Sequence, residues 1–265
     1  MKELKVNGRR LAMVAADSLR VDARYQRSLD ERRAAAIGEN YNADEFGFPV
    51  VSLRDDGSMW LLDGQHRVTG LVLAGAGKKL IAVEVRSGLT LADEAFQFWK
   101  LNEGSVSLRA IDRFRARVVA EDSVAVEIER IAKRAQLKIG VNGARSTGAV
   151  VAMEWVHCRN GNLPAVLAVL RDWSDILGGD GNAYDAQIMR YVSTFLTTYQ
   201  GVDLDRLATR LAKHENPKGF LHKLKVESRA FGGGASMRRD LACARLLVAY
   251  NKGHGKKLVP SDRAA

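Results

Sequence analysis

A chain of 265 residues that is 46% hydrophobic and 27% charged, with 4 prolines, can bury a full core or two domains, and this excludes extended disorder. Its net charge of +10 is uneven, because residues 206–257 hold 13 Lys or Arg against 3 acids while the remainder balances, so DNA or RNA is the leading partner class. No window approaches the roughly 20 apolar residues that cross a bilayer, and no leader follows Met1, so no membrane association is expected and the cytoplasm is the expected compartment.

Residues 11–14 read as a short strand. Ser28, with Glu31 three positions later, has the spacing of a capping box and opens a helix over 32–40. Residues 48–53 and 59–62 are β-rich runs around the turn Asp55-Asp56-Gly57-Ser58, which predicts a hairpin. A helix over 66–73 follows, then a strand over 80–85 and a helix over 91–101 whose buried side is expected to carry Phe96, Trp99 and Leu101. From residue 108 the pattern turns helical: 108–137, 147–158, 164–177, 183–199, 204–214, 217–228 and 236–250, with glycine-rich breaks between several of them. The expected fold is therefore α+β, a small mixed-sheet N-terminal domain over 10–106 followed by an all-helical basic domain over 107–257. Cys158 and Cys243 fall inside apolar helical patterns and are expected as buried thiols in a reducing compartment.

The joint between hairpin and helix, Asp63-Gly64-Gln65-His66-Arg67, carries the chemistry. Gly64 lets the backbone approach a ligand, the helix start offers unpaired N–H groups, and Arg67 adds a permanently charged fork of donors. His66 can donate to the same anion, and Asp63 can orient Arg67 or help hold a metal carried by a nucleotide. A plain turn leading into a solvated helix face explains the same residues equally well. There is no P-loop, no Gly-x-Gly-x-x-Gly and no zinc-ligand spacing.

Three stretches, 21–27, 48–51 and 60–67, together resemble the N-terminal domain of the ParB-like nuclease and sulfiredoxin superfamily, especially phage and mobile-element members with an Asp-Gly-Gln-His-Arg box. The resemblance covers roughly residues 10–115. It implies a ParB/sulfiredoxin-like fold whose Gly64, Gln65, His66 and Arg67 grip nucleotide phosphates, with CTP or ATP and Mg²⁺ as the implied ligands. Gln65 stands where sulfiredoxins carry their catalytic cysteine, so sulfinic-acid repair is not implied. The Gln65-His66 pair departs from the Glu-Arg usual in partitioning proteins, so cytidine specificity and hydrolysis are not carried over. A second family segment has a loose counterpart in Asn102 and Glu103, which with Arg27 at the pocket mouth complete the implied nucleotide site, and Asp63 and Glu103 are the implied metal ligands. Under this resemblance Asp63, His66 and Arg67 are the candidate catalytic residues. Some relatives cleave DNA, which draws attention to Asp22, Asp63, Glu84 and Asp93, although their spacing shows no convergence on a metal.

In the basic region Lys218, Lys223, Lys225, Arg229, Arg238, Arg239, Arg245, Lys256 and Lys257 are the expected phosphate contacts, giving salt-dependent attraction without base reading. The leading expectation is a DNA-binding protein with a nucleotide- or phosphate-binding ParB-like domain and a homodimer as candidate assembly. A metal-dependent DNA nuclease and a phage-encoded protein-interaction factor that retains the fold are the alternatives, and nucleotide triphosphatase activity is open.

Overall fold

The structure, a computed structural model, describes residues 3–6, 8–103, 109–140, 145–255 and 257–258. It has two compact units, Met1–Ser123 and Val124–Ala265. The expected boundary at 106/107 falls within 104–108, outside the described residues, and the units divide later than that.

The first unit is built on a six-stranded mixed sheet in the order β1-β2-β6-β4-β5-β3. Its strands are β1 (Glu3–Val6), β2 (Arg9–Ala15), β3 (Leu19–Arg20), β4 (Val50–Leu53), β5 (Met59–Asp63) and β6 (Leu80–Ser87). The predicted hairpin is β4 and β5, antiparallel with Val51 opposite Leu61, and β4 also runs parallel to β6. Gly57 takes a φ of +78° in the turn, a conformation that glycine adopts without a Cβ penalty.

Five helices accompany the sheet among the described residues: α1 (Glu31–Glu39), α2 (Ala43–Phe46), α3 (Gln65–Leu73), α4 (Leu91–Leu101) and α5 (Ala110–Val119). Adjacent strand residues point to opposite faces, and the core divides accordingly. Leu61 joins Val51, Val83, Val68 and Leu71 on the α3 side, while Leu62 joins Val50, Tyr25, Phe98 and Ala116 on the α4 and α5 side. Burying each such leucine contributes about 1.5–3 kcal/mol. Because α5 packs against α4, it belongs to the first unit.

Several expectations need correction. Asp30, not Ser28, caps α1 by accepting from the Arg33 N–H at 3.1 Å. The buried side of α4 is Glu94, Ala95 and Phe98, whereas Phe96 and Leu101 are exposed. Its start is fixed by a Thr90–Asp93 capping box.

The second unit contains α6 (Ser123–Arg134), α7 (Val150–Asn160), α8 (Leu163–Ile176), α9 (Ala186–Thr198), α10 (Leu204–His214), α11 (Pro217–Ala230) and α12 (Ala235–Asn251). The expected single helix over 108–137 is two, because Glu121 turns left-handed at φ +56° between α5 and α6. The expected 183–199 helix starts later, after a 3-10 turn at Gly181–Tyr184, with Asp185 as its cap. Two short strands, β7 (Lys138–Ile139) and β8 (Ser146–Thr147), pair in parallel within the otherwise helical unit. Helix α9 packs on α7, α8 and α12, and α10 packs on α8 and α12. Trp173 lies at the centre, edge-on to Phe220 at 6.1 Å and donating its indole N–H to the Glu215 carbonyl at 3.2 Å. Cys158 is exposed, contrary to expectation, and both cysteines are free thiols. Burial pushes the Cys243 thiol up to about 11. Among the described residues no helix is long and apolar enough to cross a membrane.

Candidate functional site

The joint anticipated from sequence is a bend with a left-handed residue at its corner. Strand β5 ends at Asp63, Gly64 takes φ +94°, and α3 begins at Gln65 with no side chain capping it. A Cβ on Gly64 would meet Pro49 at 2.9 Å and the Arg67 guanidinium at 3.2 Å, so the position is restricted by space as well as by φ. The N–H groups of a helix's first turn have no partner within the helix, and its dipole adds partial positive charge. This bend therefore presents an anion seat.

Arg67 is held along the edge of that seat. One terminal nitrogen donates to the Phe46 carbonyl and the other to Asp63 Oδ2 at 2.9 Å. A Cβ on Gly47 would come within 3.2 Å of the same guanidinium, so Gly47 and Gly64 leave the space it occupies. Asp63 thus orients Arg67, as the sequence suggested.

A cavity of about 570 Å³ opens over the bend. Gly64, Gln65, His66 and Arg67 form one wall, with Arg27 and Asn102 also in the lining. The rest of the lining includes Arg33 and Ile37 from α1 and Asn40 at its C-terminal end, followed by Tyr41, Asn42, Glu45 and Phe46. Sequence reading missed this second wall. Its signal was the placement of Arg33, Ile37 and Asn40 at helical spacing, which puts two polar side chains on one face of α1. Aromatic, amide, carboxylate and guanidinium groups thus share one lining. The Gln65 Oε1 atom is buried and has no hydrogen-bond partner, an acceptor that a ligand donor would satisfy.

His66 is buried at 6% exposure between two donors. The Asp30 N–H donates to its Nε2 at 3.2 Å, and the Arg27 guanidinium lies 3.2 Å from its Nδ1. A neutral imidazole accepts at one nitrogen only, and an imidazolium accepts at neither. Burial, then the Arg27 and Arg33 charges, accordingly depress the His66 pKa. The neutral ring does not add a fourth positive charge to the three guanidiniums that line the cavity.

The depressed pKa has a defined consequence for stability. As pH falls through about 6.5, the unfolded histidine takes up a proton that the folded one resists, so stability is present above that pH and is lost below it. Urea midpoints measured between pH 7.5 and 5.5 should fall less steeply for His66→Asn than for the native chain. Equal slopes would contradict the buried neutral ring.

The remaining predicted residues divide. Asn102 is buried beside the cavity, and its amide donates to the Phe98 carbonyl at 2.8 Å. Glu103 is exposed, pairs with Lys100 at 2.9 Å and does not line the cavity. The expected Asp63–Glu103 metal pair is therefore not assembled, and among the described residues no group of three acid, His or Cys side chains could hold a metal. Asp63 and Glu45 are the acids that line the cavity.

The acids considered for cleavage also have structural partners. Asp93 closes the α4 capping box, and Glu84 pairs with Arg86 at 3.0 Å. Asp22 belongs to a network not visible in sequence. Arg54 reaches Asp22 at 2.9 Å and clamps the fully buried Glu94, Arg24 reaches Asp22 at 2.5 Å, and Tyr25 donates to Glu94 at 3.2 Å. The Arg24 hydrogen bonds, outweighing burial, hold the Asp22 carboxyl well below the usual carboxylate range.

In the second unit the predicted cations also separate. Lys218, Lys225 and Arg229 on α11 are exposed, as is Lys257, while Lys256 lies outside the described residues. Arg239 is half-exposed with Asp240 at 3.8 Å, and Arg238 is partly buried. Lys223 pairs with Glu215 at 3.0 Å, and Arg245 bridges Glu215 at 3.1 Å to Glu227. Arg245 thus ties α10, α11 and α12 together, so this predicted cation is also a structural bridge.

No curated protein matches the chain. The model of a family of unknown function, DUF6551, matches residues 21–225, which takes in the Asp63 to Arg67 bend, both cavity walls, α6 to α10 and the first part of α11. That span is most of the sequence, and the chain belongs to this family of unknown function.

Proposed function

We propose that the protein binds nucleic acid through its helical unit and a nucleoside phosphate, CTP or ATP among the candidates, in the cavity of its first unit. The observation that carries the nucleotide half is the uncapped start of α3, entered through Gly64 and flanked by Arg67, Arg27 and Arg33 in one cavity. Backbone N–H groups and three guanidiniums match a polyphosphate, and Tyr41, Phe46 and Phe98 offer faces for a base. The resemblance to ParB-like domains points the same way. The charge excess of residues 206–257 supports the nucleic-acid half. Mg²⁺ would enter with the ligand's phosphates, and two free thiols suit a reducing cytoplasm. DNA cleavage has less behind it, because the acids considered for it are paired or serve as caps.

Calorimetric titration of the full chain with CTP and with ATP, each with and without Mg²⁺, tests the nucleotide half. One of them should bind, and Arg67→Gln should weaken it by about 1.5–3 kcal/mol, roughly 10- to 100-fold, the range for hydrogen bonds to charged groups. Absence of binding by either nucleotide, or equal binding by the variant, would overturn the reading.

A further inference from the structure

The basic stretch 206–257 is not where the second unit's most unusual cations concentrate. Trp155 on α7 carries two guanidiniums against its ring, Arg159 at 5.6 Å and Arg190 of α9 at 6.0 Å from the centroid. Among the described residues no acidic partner is found for Arg159, Arg190 or Arg238 of α12, and the Nε atoms of Arg190 and Arg238 are buried without a hydrogen-bond partner there. Arg190 stands on α9 and Arg238 on α12, and both α7 and α12 pack on α9. Asp185, at the start of α9, is its cap, accepting from the Gln187 N–H at 2.7 Å.

This arrangement differs from a solvated basic face. Lys218, Lys225 and Arg229 extend into water, where their charge is already hydrated. A guanidinium already part-withdrawn from water in the free protein gives up less hydration when an acceptor reaches its terminal N–H groups. Arginine presents a planar fork suited to phosphate oxygens, and an aromatic ring beneath it fixes the direction of that fork. Arg159 and Arg190 also lie outside the segment that carries the net charge, so charge counting along the chain does not find them.

We propose that Arg159, Arg190 and Arg238, with Arg159 and Arg190 held by Trp155, form the surface of the helical unit that grips a phosphodiester backbone. The inference rests on the nucleic-acid half of the proposed function and locates it on α7, α9 and α12, with the α11 cations contributing only diffuse attraction.

The test is binding of the full chain to a fluorescently labelled DNA duplex across a salt series. The variants are Arg190→Gln/Arg238→Gln and, for comparison, Lys218→Gln/Lys225→Gln/Arg229→Gln. The first should bind at least tenfold more weakly, with the slope of log K against log salt reduced by about 2, close to one counterion per lost phosphate contact. The second should lose less than the first. A fold defect would lower the fraction of active protein and leave that slope unchanged, so slope separates a contact from a structural role. An unchanged slope in the first variant, or the larger loss in the α11 variant, overturns the proposed surface while leaving DNA binding in place. Failure of the native chain to bind duplex at low salt would instead remove the nucleic-acid half of the proposed function, and this surface with it.

Discussion

Gly70→Ala is expected to destabilise the first unit by about 3 kcal/mol, the upper end of the usual overpacking range. Helices α1 and α3 touch backbone to backbone: a Cβ on Gly70 would sit 2.3 Å from the Ala34 carbonyl oxygen, and one on Gly38 would sit 2.1 Å from the Gly70 carbonyl oxygen. Backbone on both sides cannot rotate away as a side chain would, so the helices must separate. The same two helices carry walls of the cavity, Arg33 and Ile37 on one and Gln65 to Arg67 on the other. Loss of stability should therefore be accompanied by weaker ligand binding, although Gly70 does not line the cavity. Hydrogen exchange at the amides of β4, β5 and β6 reads the change within this unit. Protection reduced by less than about 0.5 kcal/mol, well below the overpacking range, would contradict the close approach.

Glu94→Ala is expected to cost about 3 kcal/mol, the lower end of the range for removing one partner of a buried ion pair. Glu94 is fully buried and accepts from both Arg54 and Tyr25. Its loss strands the buried Tyr25 hydroxyl, whose pKa is raised first by burial and then by the Glu94 charge. Arg54 would keep Asp22 and its stacking on Trp60 at 4.0 Å, which limits the damage. Urea unfolding followed by exchange at β5 measures the effect. A change under about 1 kcal/mol would show the network behaving as an exposed pair does.

The hairpin and the bend were legible because alternation, the Asp-Gly turn and a following helical period all agree over 48–73. The cap of α1 was less so: Ser28 and Asp30 are both good caps two residues apart, and what places Asp30 is its N–H meeting the His66 ring. Nothing in the sequence marks Glu121 as a left-handed break, since glutamate seldom adopts that conformation and the apolar period runs on past it. The Asp22–Arg54–Glu94 network was invisible because its members lie 32 and 40 residues apart and meet only when the sheet forms. Within the basic stretch, composition counted Arg245 and Lys223 with the others, yet Glu215 and Glu227 hold them. A count of charges records their sum and not their pairing.

The proposed nucleotide binding depends most on the seat at the start of α3. A crystal structure of the full chain grown with CTP or ATP and Mg²⁺ tests it directly. Phosphate density should lie within hydrogen-bond distance of the backbone N–H groups of Gln65 to Arg67, with the Arg67 guanidinium turned to it or bridging it to Asp63. Nucleotide bound elsewhere, with that helix start still facing water, would contradict the central claim.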